Sequence, residues 1–312
     1  FDLPFGFDTD VNGAAIGGGI VSLGVLVCTF WKSGIHYSTE QIRPVFKFVL
    51  PLFVFEVVKW GVLSVDRFFL ESTPEQLGIY DNAQRFAAGI YIIFQGLYGA
   101  VQPDFFRYLK IGVQDSIQDL RRLTNIYLLQ AQIAAVGLIV PVILYIHFFF
   151  ETSLSTSGTL VTIIFIQYII TALNTVFSLP IIFNKRTDLF LLINLLVLII
   201  SITMNYVLIP IYGYYGAIMS SYTANIIQLG FLVYIQNRLI TIDWNYRKTL
   251  VVPMTIVFSA IVAEVIKIWF GLPYALVAFV VIGFSFLIVL ILYRNEAKQI
   301  TIKFFKVKNV KQ

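Results

Sequence analysis

PVFKFVLPLFVFEVVKWGVLSVDRFFL (44–70), ESTPEQLGI (71–79) and YDNAQRFAAGIYIIFQGLYGAVQPDF (80–105) are the stretch that decides the fold. About 20 apolar residues cross the ~30 Å hydrocarbon layer, so the two outer segments predict a pair of spanning helices joined by a short acidic turn. Both are interrupted by ionisable residues: Glu56, Lys59, Asp66 and Arg67 on the first, Asp81 and Arg85 on the second. A charge at membrane depth costs roughly 2.5–3.5 kcal/mol, so these side chains are expected to face a protein interior or a wet cavity. At about 100° per residue, Lys59 and Asp66 lie within about 20° of each other and Glu56 about 60° away. On the next helix Asp81, Gln84, Arg85 and Gln95 share one side. A purely structural reading competes with a cavity. Glu56–Lys59 would then be an i,i+3 ion pair, and Asp66 or Arg67 would pair with Asp81 or Arg85 to fix packing.

The rest of the chain has the same character. Hydrophobic residues make up 58% and charged residues 12% of its 312 positions, against roughly 25% charged in soluble domains. It reads as an all-α integral membrane protein. The net charge of +5 points to basic cytoplasmic loops rather than to nucleic acid. The single cysteine, Cys28, excludes an internal disulfide or thiolate metal framework. His36 and His147 stand alone, so neither a metal, a cofactor nor a catalytic constellation is expected. The chain starts at Phe1 without a signal segment and reads as an excerpt of a longer protein.

Apolar runs at 12–31, 44–70, 80–105, 125–150, 159–183, 188–209, 215–236, 249–270 and 273–293 predict about nine spanning helices. Charge divides their connections. One alternating set holds Lys32, Arg43, Lys47, Arg107, Lys110, Arg121, Arg122, Lys185, Arg186, Arg238, Arg247 and Lys248. The tail extends that set with Arg294, Lys298, Lys303, Lys306, Lys308 and Lys311. The opposite set holds no basic residue, only Asp2, Asp8, Asp10, Glu71, Glu75 and Glu151. The positive-inside rule then makes the basic set and the C-terminus cytoplasmic. The opposite connections are too short for the large external loop of a membrane glycosyltransferase or polymerase. Residues 106–124 are expected to form an amphipathic helix along the interface, and 294–312 a basic tail against anionic headgroups.

Residues 6–20, GFDTDVNGAAIGGGI, resemble 213–224, GYYGAIMSSYTA, in leading from a glycine turn through Gly-Ala and an isoleucine into small residues. Small residues let helices approach closely. Taken as a repeat, this makes helix 12–31 the last of one bundle and 215–236 the last of a six-helix successor. The expected divisions are 1–43 (last helix of an N-terminal bundle and its linker) and 44–240 (C-terminal six-helix bundle). Two accessory helices (241–293) and the tail (294–312) follow.

PLFVFEVVKWGVLSVDRFFL, GIYDNAQRFAAGIYIIFQGLYGAVQPDFFRYLK and NYVLIPIYGYYGAIMSSYTA together resemble the bacterial Wzx-type oligosaccharide flippases. These belong to the multidrug/oligosaccharidyl-lipid/polysaccharide exporter superfamily. The resemblance runs from residue 6 to about 293, its most specific pieces being Asp66-Arg67-Phe68, Gly78-Ile79-Tyr80 and Asn205 to Ala217. It implies an exporter fold lacking most of its first bundle, in the bacterial inner membrane. The function implied is passage of an undecaprenyl-pyrophosphate-linked oligosaccharide to the external leaflet by alternating access, with no enzyme activity. A polysaccharide polymerase is admitted as a further partner. Related lipid II flippases have Ala-Asp-Arg-Leu where this chain has Ala83-Gln84-Arg85-Phe86, which keeps the arginine and loses the acid. The resemblance turns Lys59, Arg85, Glu56, Asp66, Asp81 and Gln95 towards a substrate cavity. An ion-coupled multidrug antiporter of the same superfamily is the rival; its cleft would favour negative charge. Three smaller expectations remain: an i,i+3 pair Glu264–Lys267, interhelical bonding of Gln167, Thr171 and Asn174, and helix interruptions at Pro51, Gly61, Pro103, Pro141 and Pro180.

Overall fold

The computed structural model describes residues 20–31, 39–150 and 156–294, and there it is helical, with no strand among the described residues. The helices are α1 (Ile20–Trp31), α2 (Thr39–Leu70), α3 (Pro74–Ile111), α4 (Val113–Gly137), α5 (Ile139–Phe149), α6 (Gly158–Phe183), α7 (Thr187–Tyr212), α8 (Tyr214–Leu239), α9 (Val252–Phe270) and α10 (Tyr274–Leu292). The chain divides into two compact units, Phe1–Leu50 and Pro51–Gln312. Among the described residues, five segments are long and apolar enough to cross a bilayer, 113–149, 158–183, 188–212, 214–239 and 247–270; the expected nine are not all seen, and α2 and α3 are not among the five. The chain is therefore a multi-pass membrane protein. The first copy of the expected repeat up to residue 19, the tail beyond 294 and the side chain of Glu56 lie outside the described residues.

In the second unit α6 is the central helix. It is largely apolar and buried on nearly every face, and it packs against α3, α4, α5, α7, α8, α9 and α10. A helix with apolar residues on so many faces has to be enclosed in this way. The hairpins α3–α4 and α7–α8 pack on it, and α9 and α10 pair on its far flank. Gly216 lets α8 close on α7, since any side chain there would strike the backbone of Leu208 and Ile209. That is the close approach expected of the small-residue run.

Two local expectations are corrected. Residues 106–124 form no separate interfacial helix: α3 continues to Ile111, and α4 starts at Val113 after a one-residue turn. Gly112 allows so tight a turn with φ +132, in the region side chains rarely occupy. Phe105, Leu109 and Leu120 on either side are buried in the bundle. Of the expected interruptions, only Pro141 breaks its helix. Lacking an N–H, it cannot bond to Gly137 four residues back and its ring crowds that carbonyl; α4 ends there and α5 begins at Ile139. Helices run on through Pro51, Gly61, Pro103 and Pro180. Pro253 acts similarly on α9, which is preceded by a π turn, Arg247–Val251, closed by Val252 N–H on the Arg247 carbonyl.

The segment joining α8 to α9 is extended and alternates: Ile242 and Trp244 are buried while Thr241, Asp243 and Asn245 are exposed. Trp244 stacks on Phe105 with centroids 6.2 Å apart and meets Phe177 edge-on at 5.7 Å. Its indole N–H donates to Gln236 Oε1 at 2.9 Å, and Gln236 Nε2 donates to the Ile240 carbonyl at 2.8 Å. Arg121 fastens the outside of the same segment, donating from Nε to the Asp243 carbonyl at 2.6 Å and pairing with its carboxylate.

Candidate functional site

Eighteen of the 22 basic residues sit in the basic connections or tail; the other four are Lys59, Arg67, Arg85 and Lys267. Three of these four fall on the α2–α3 hairpin, and its fold brings two of them to one carboxylate. Arg67 Nε lies 2.9 Å from Asp81 Oδ1, and Arg85 Nε lies 3.1 Å from Asp81 Oδ2. The pairing across the hairpin is the one anticipated for Arg67 and Asp81, and Arg85 joins as an i,i+4 partner on α3. Each arginine spends its Nε on Asp81. The side chain of Arg85 is 78% exposed and that of Arg67 45%. Two guanidinium groups thus flank one carboxylate, with their outer edges directed away from it.

Arg85 lies eleven residues into α3, about 16 Å along its axis from Pro74, and its guanidinium is exposed on the surface of the bundle.

Asp66 points the other way and is buried. It accepts a hydrogen bond from the Tyr80 hydroxyl and another from the Arg67 backbone N–H at 2.9 Å. Gln84 Nε2 donates to Tyr80 at 2.8 Å, and Ser221 of α8 also bonds the phenol. This interior network ties α2 and α3 to α8. Asp66 and Gln84 are therefore set apart from the arginine rim, although the helical projection groups Gln84 with Arg85. Lys59 is half-buried and Gln95 is exposed. Arg67, not grouped with the cavity residues by the sequence, belongs to the rim through its bond to Asp81.

Other polar groups serve the bundle. Asn174 Nδ2 on α6 donates to Gln228 Oε1 on α8 at 2.8 Å, and Gln228 Nε2 donates to Asn194 Oδ1 on α7 at 3.1 Å. This amide chain stitches three helices, as expected for Asn174. Thr171 accepts at its carbonyl from Thr175 within α6, and Gln167 is buried with its Oε1 unpartnered among the described residues. Glu264 and Lys267 form the expected i,i+3 pair, but it is more than local: both are buried, Lys267 Nζ donates to the Thr159 carbonyl at 3.2 Å, and Tyr215 bonds Glu264. The pair thereby joins α9 to the first turns of α6 and α8. No cluster of three or more His, Cys, Asp or Glu side chains suited to a metal occurs among the described residues. Compared with family models, curated proteins and solved structures, the chain shows no match, so its function is argued from these residues and their geometry.

Proposed function

We propose that the chain belongs to a flippase that carries an undecaprenyl-pyrophosphate-linked oligosaccharide from the cytoplasmic to the external leaflet of the bacterial inner membrane. The observation that carries this reading is the exposed Arg85 guanidinium, held on Asp81 beside Arg67. A flippase breaks no bond. Its task is to give a diphosphate and several sugars a polar route, because the cost of leaving them without partners in hydrocarbon is prohibitive. Guanidinium suits the diphosphate: it stays charged, and its planar fork donates in pairs. Lys59 would add a compact cation one helix away, and Asp81 would orient both arginines between substrates. In this reading the rim faces a cleft shared with a second bundle, and rocking of the two exposes it to each leaflet in turn.

The test is reconstitution in liposomes with a fluorescent undecaprenyl-pyrophosphate oligosaccharide in one leaflet and, separately, a lipophilic cationic dye. The proposal expects the lipid to change leaflet and the dye to be ignored. Movement of the dye without the lipid would replace it by the multidrug antiporter reading.

A further inference from the structure

A cavity of about 590 Å³ opens where α2 turns into α3 and α7 into α8. This volume is within the range of small-molecule sites. Its walls include the rings of Phe69, Tyr212 and Tyr215 and the polar side chains of Ser72, Thr73 and Gln76; none of the residues lining it carries a formal charge. The two turns that form it are clamped together. Gln76 Oε1 accepts the Tyr214 backbone N–H at 3.2 Å. Gly213 makes its turn with φ +57, and any side chain there would collide with the Gln76 amide.

The cavity is distinct from the arginine rim. Gln76 and Arg85 are nine residues apart on α3, which places them on opposite sides of the helix and about 14 Å apart along it. Since no charged side chain lines the cavity, neither a phosphate nor an ammonium group would find a direct ionic partner in its walls. A hydrocarbon guest would leave two hydroxyls and an amide facing it. A sugar satisfies both kinds of wall: its hydroxyls donate and accept, and its C–H faces pack on aromatic rings.

We infer that this cavity binds an uncharged sugar, with Ser72, Thr73 and Gln76 addressing hydroxyls and Phe69, Tyr212 and Tyr215 taking the ring faces. That the sugar belongs to the head of a lipid-linked glycan rests on the flippase reading; the binding itself does not. On that reading the cavity holds a sugar on the side bearing Glu71 and Glu75, where the head would leave.

The experiment uses the protein in phosphatidylcholine nanodiscs, with maltose and N-acetylglucosamine as probes and glycerophosphocholine as the rival headgroup, followed by saturation-transfer NMR. At least one sugar is expected to bind saturably at millimolar concentration, and to lose about tenfold in affinity on Gln76→Leu and on Tyr212→Ala, the loss of about 1.4 kcal/mol for each. Tyr212 is exposed, so its truncation leaves the bundle intact. No saturable sugar binding, binding indifferent to both variants, or equal binding of glycerophosphocholine would overturn the inference. Lipid translocation without sugar binding would sink this site alone, and sugar binding without translocation would sink the transport reading alone.

Discussion

Replacing Trp244 by alanine should be among the most damaging single changes outside the candidate sites. The side chain is 3% exposed, and it fills the space between Phe105 of α3 and Phe177 of α6. Emptying such a position costs about 3–5 kcal/mol. The lost indole donor adds to this, because Gln236 is fully buried and its Oε1 would be left unsatisfied, at about 1–3 kcal/mol. Trp244→Phe separates the two terms: most of the ring contact survives while the donor goes, so a loss of only about 1–3 kcal/mol is expected. Unfolding can be followed by SDS titration in mixed micelles using circular dichroism. An alanine variant within about 0.5 kcal/mol of the parent, the range of an ordinary surface change, would refute the inward-facing linker.

Three further outcomes follow from the packing. Gly216→Ala should destabilise the α7–α8 hairpin by about 1–3 kcal/mol, because the added methyl meets the Leu208 carbonyl rather than a movable side chain; thermal melts in detergent check this. Tyr80→Phe should cost about 1.5–3 kcal/mol by removing a donor from the buried Asp66 carboxylate, while Tyr80→Phe combined with Asp66→Leu should recover much of the loss. Breaking the Glu264–Lys267 pair by Lys267→Met alone should cost about 3–5 kcal/mol, whereas Glu264→Leu with Lys267→Met should be far milder, since two well-packed apolar residues replace two buried charges. A double variant as unstable as the single one would show that the pair does more than join α9 to α6 and α8.

How much of this was legible beforehand follows from what each feature depends on. The all-helical, apolar character was written in the runs, because length and hydropathy are local properties, and the observed bounds of α6 and α8 differ from those runs by only a few residues, although five spans rather than nine are seen among the described residues. Pro141 gave fair notice of the α4–α5 break. Gly112 did not: a lone glycine amid FRYLKIGVQDSIQ reads as easily as part of an amphipathic helix, and only the burial of Phe105, Leu109 and Leu120 on a common core decides for a turn. The alternation of Ile240-Thr-Ile-Asp-Trp-Asn245 carried the linker's inward face, yet its short length hid it between two long helices. In the candidate site, helical spacing grouped Asp81 with Arg85 correctly. It could not say that Asp66 turns inward to Tyr80, because that depends on how α2 and α3 pair across their turn. Nor could spacing reveal that Tyr215 and Thr159 complete the Glu264–Lys267 pair.

The most direct test of the arginine rim is polysaccharide at the cell surface when the protein carries Arg85→Ala or Lys59→Ala, with membrane levels matched to the parent by immunoblot. Loss of one charge-assisted contact to a diphosphate is worth about 1.5–3 kcal/mol, so Arg85→Ala should lower export about tenfold or more, with Arg85→Lys intermediate and Lys59→Ala weaker in the same direction. Export at the parental level in both alanine variants would contradict the claim that these cations receive the anionic head of the lipid.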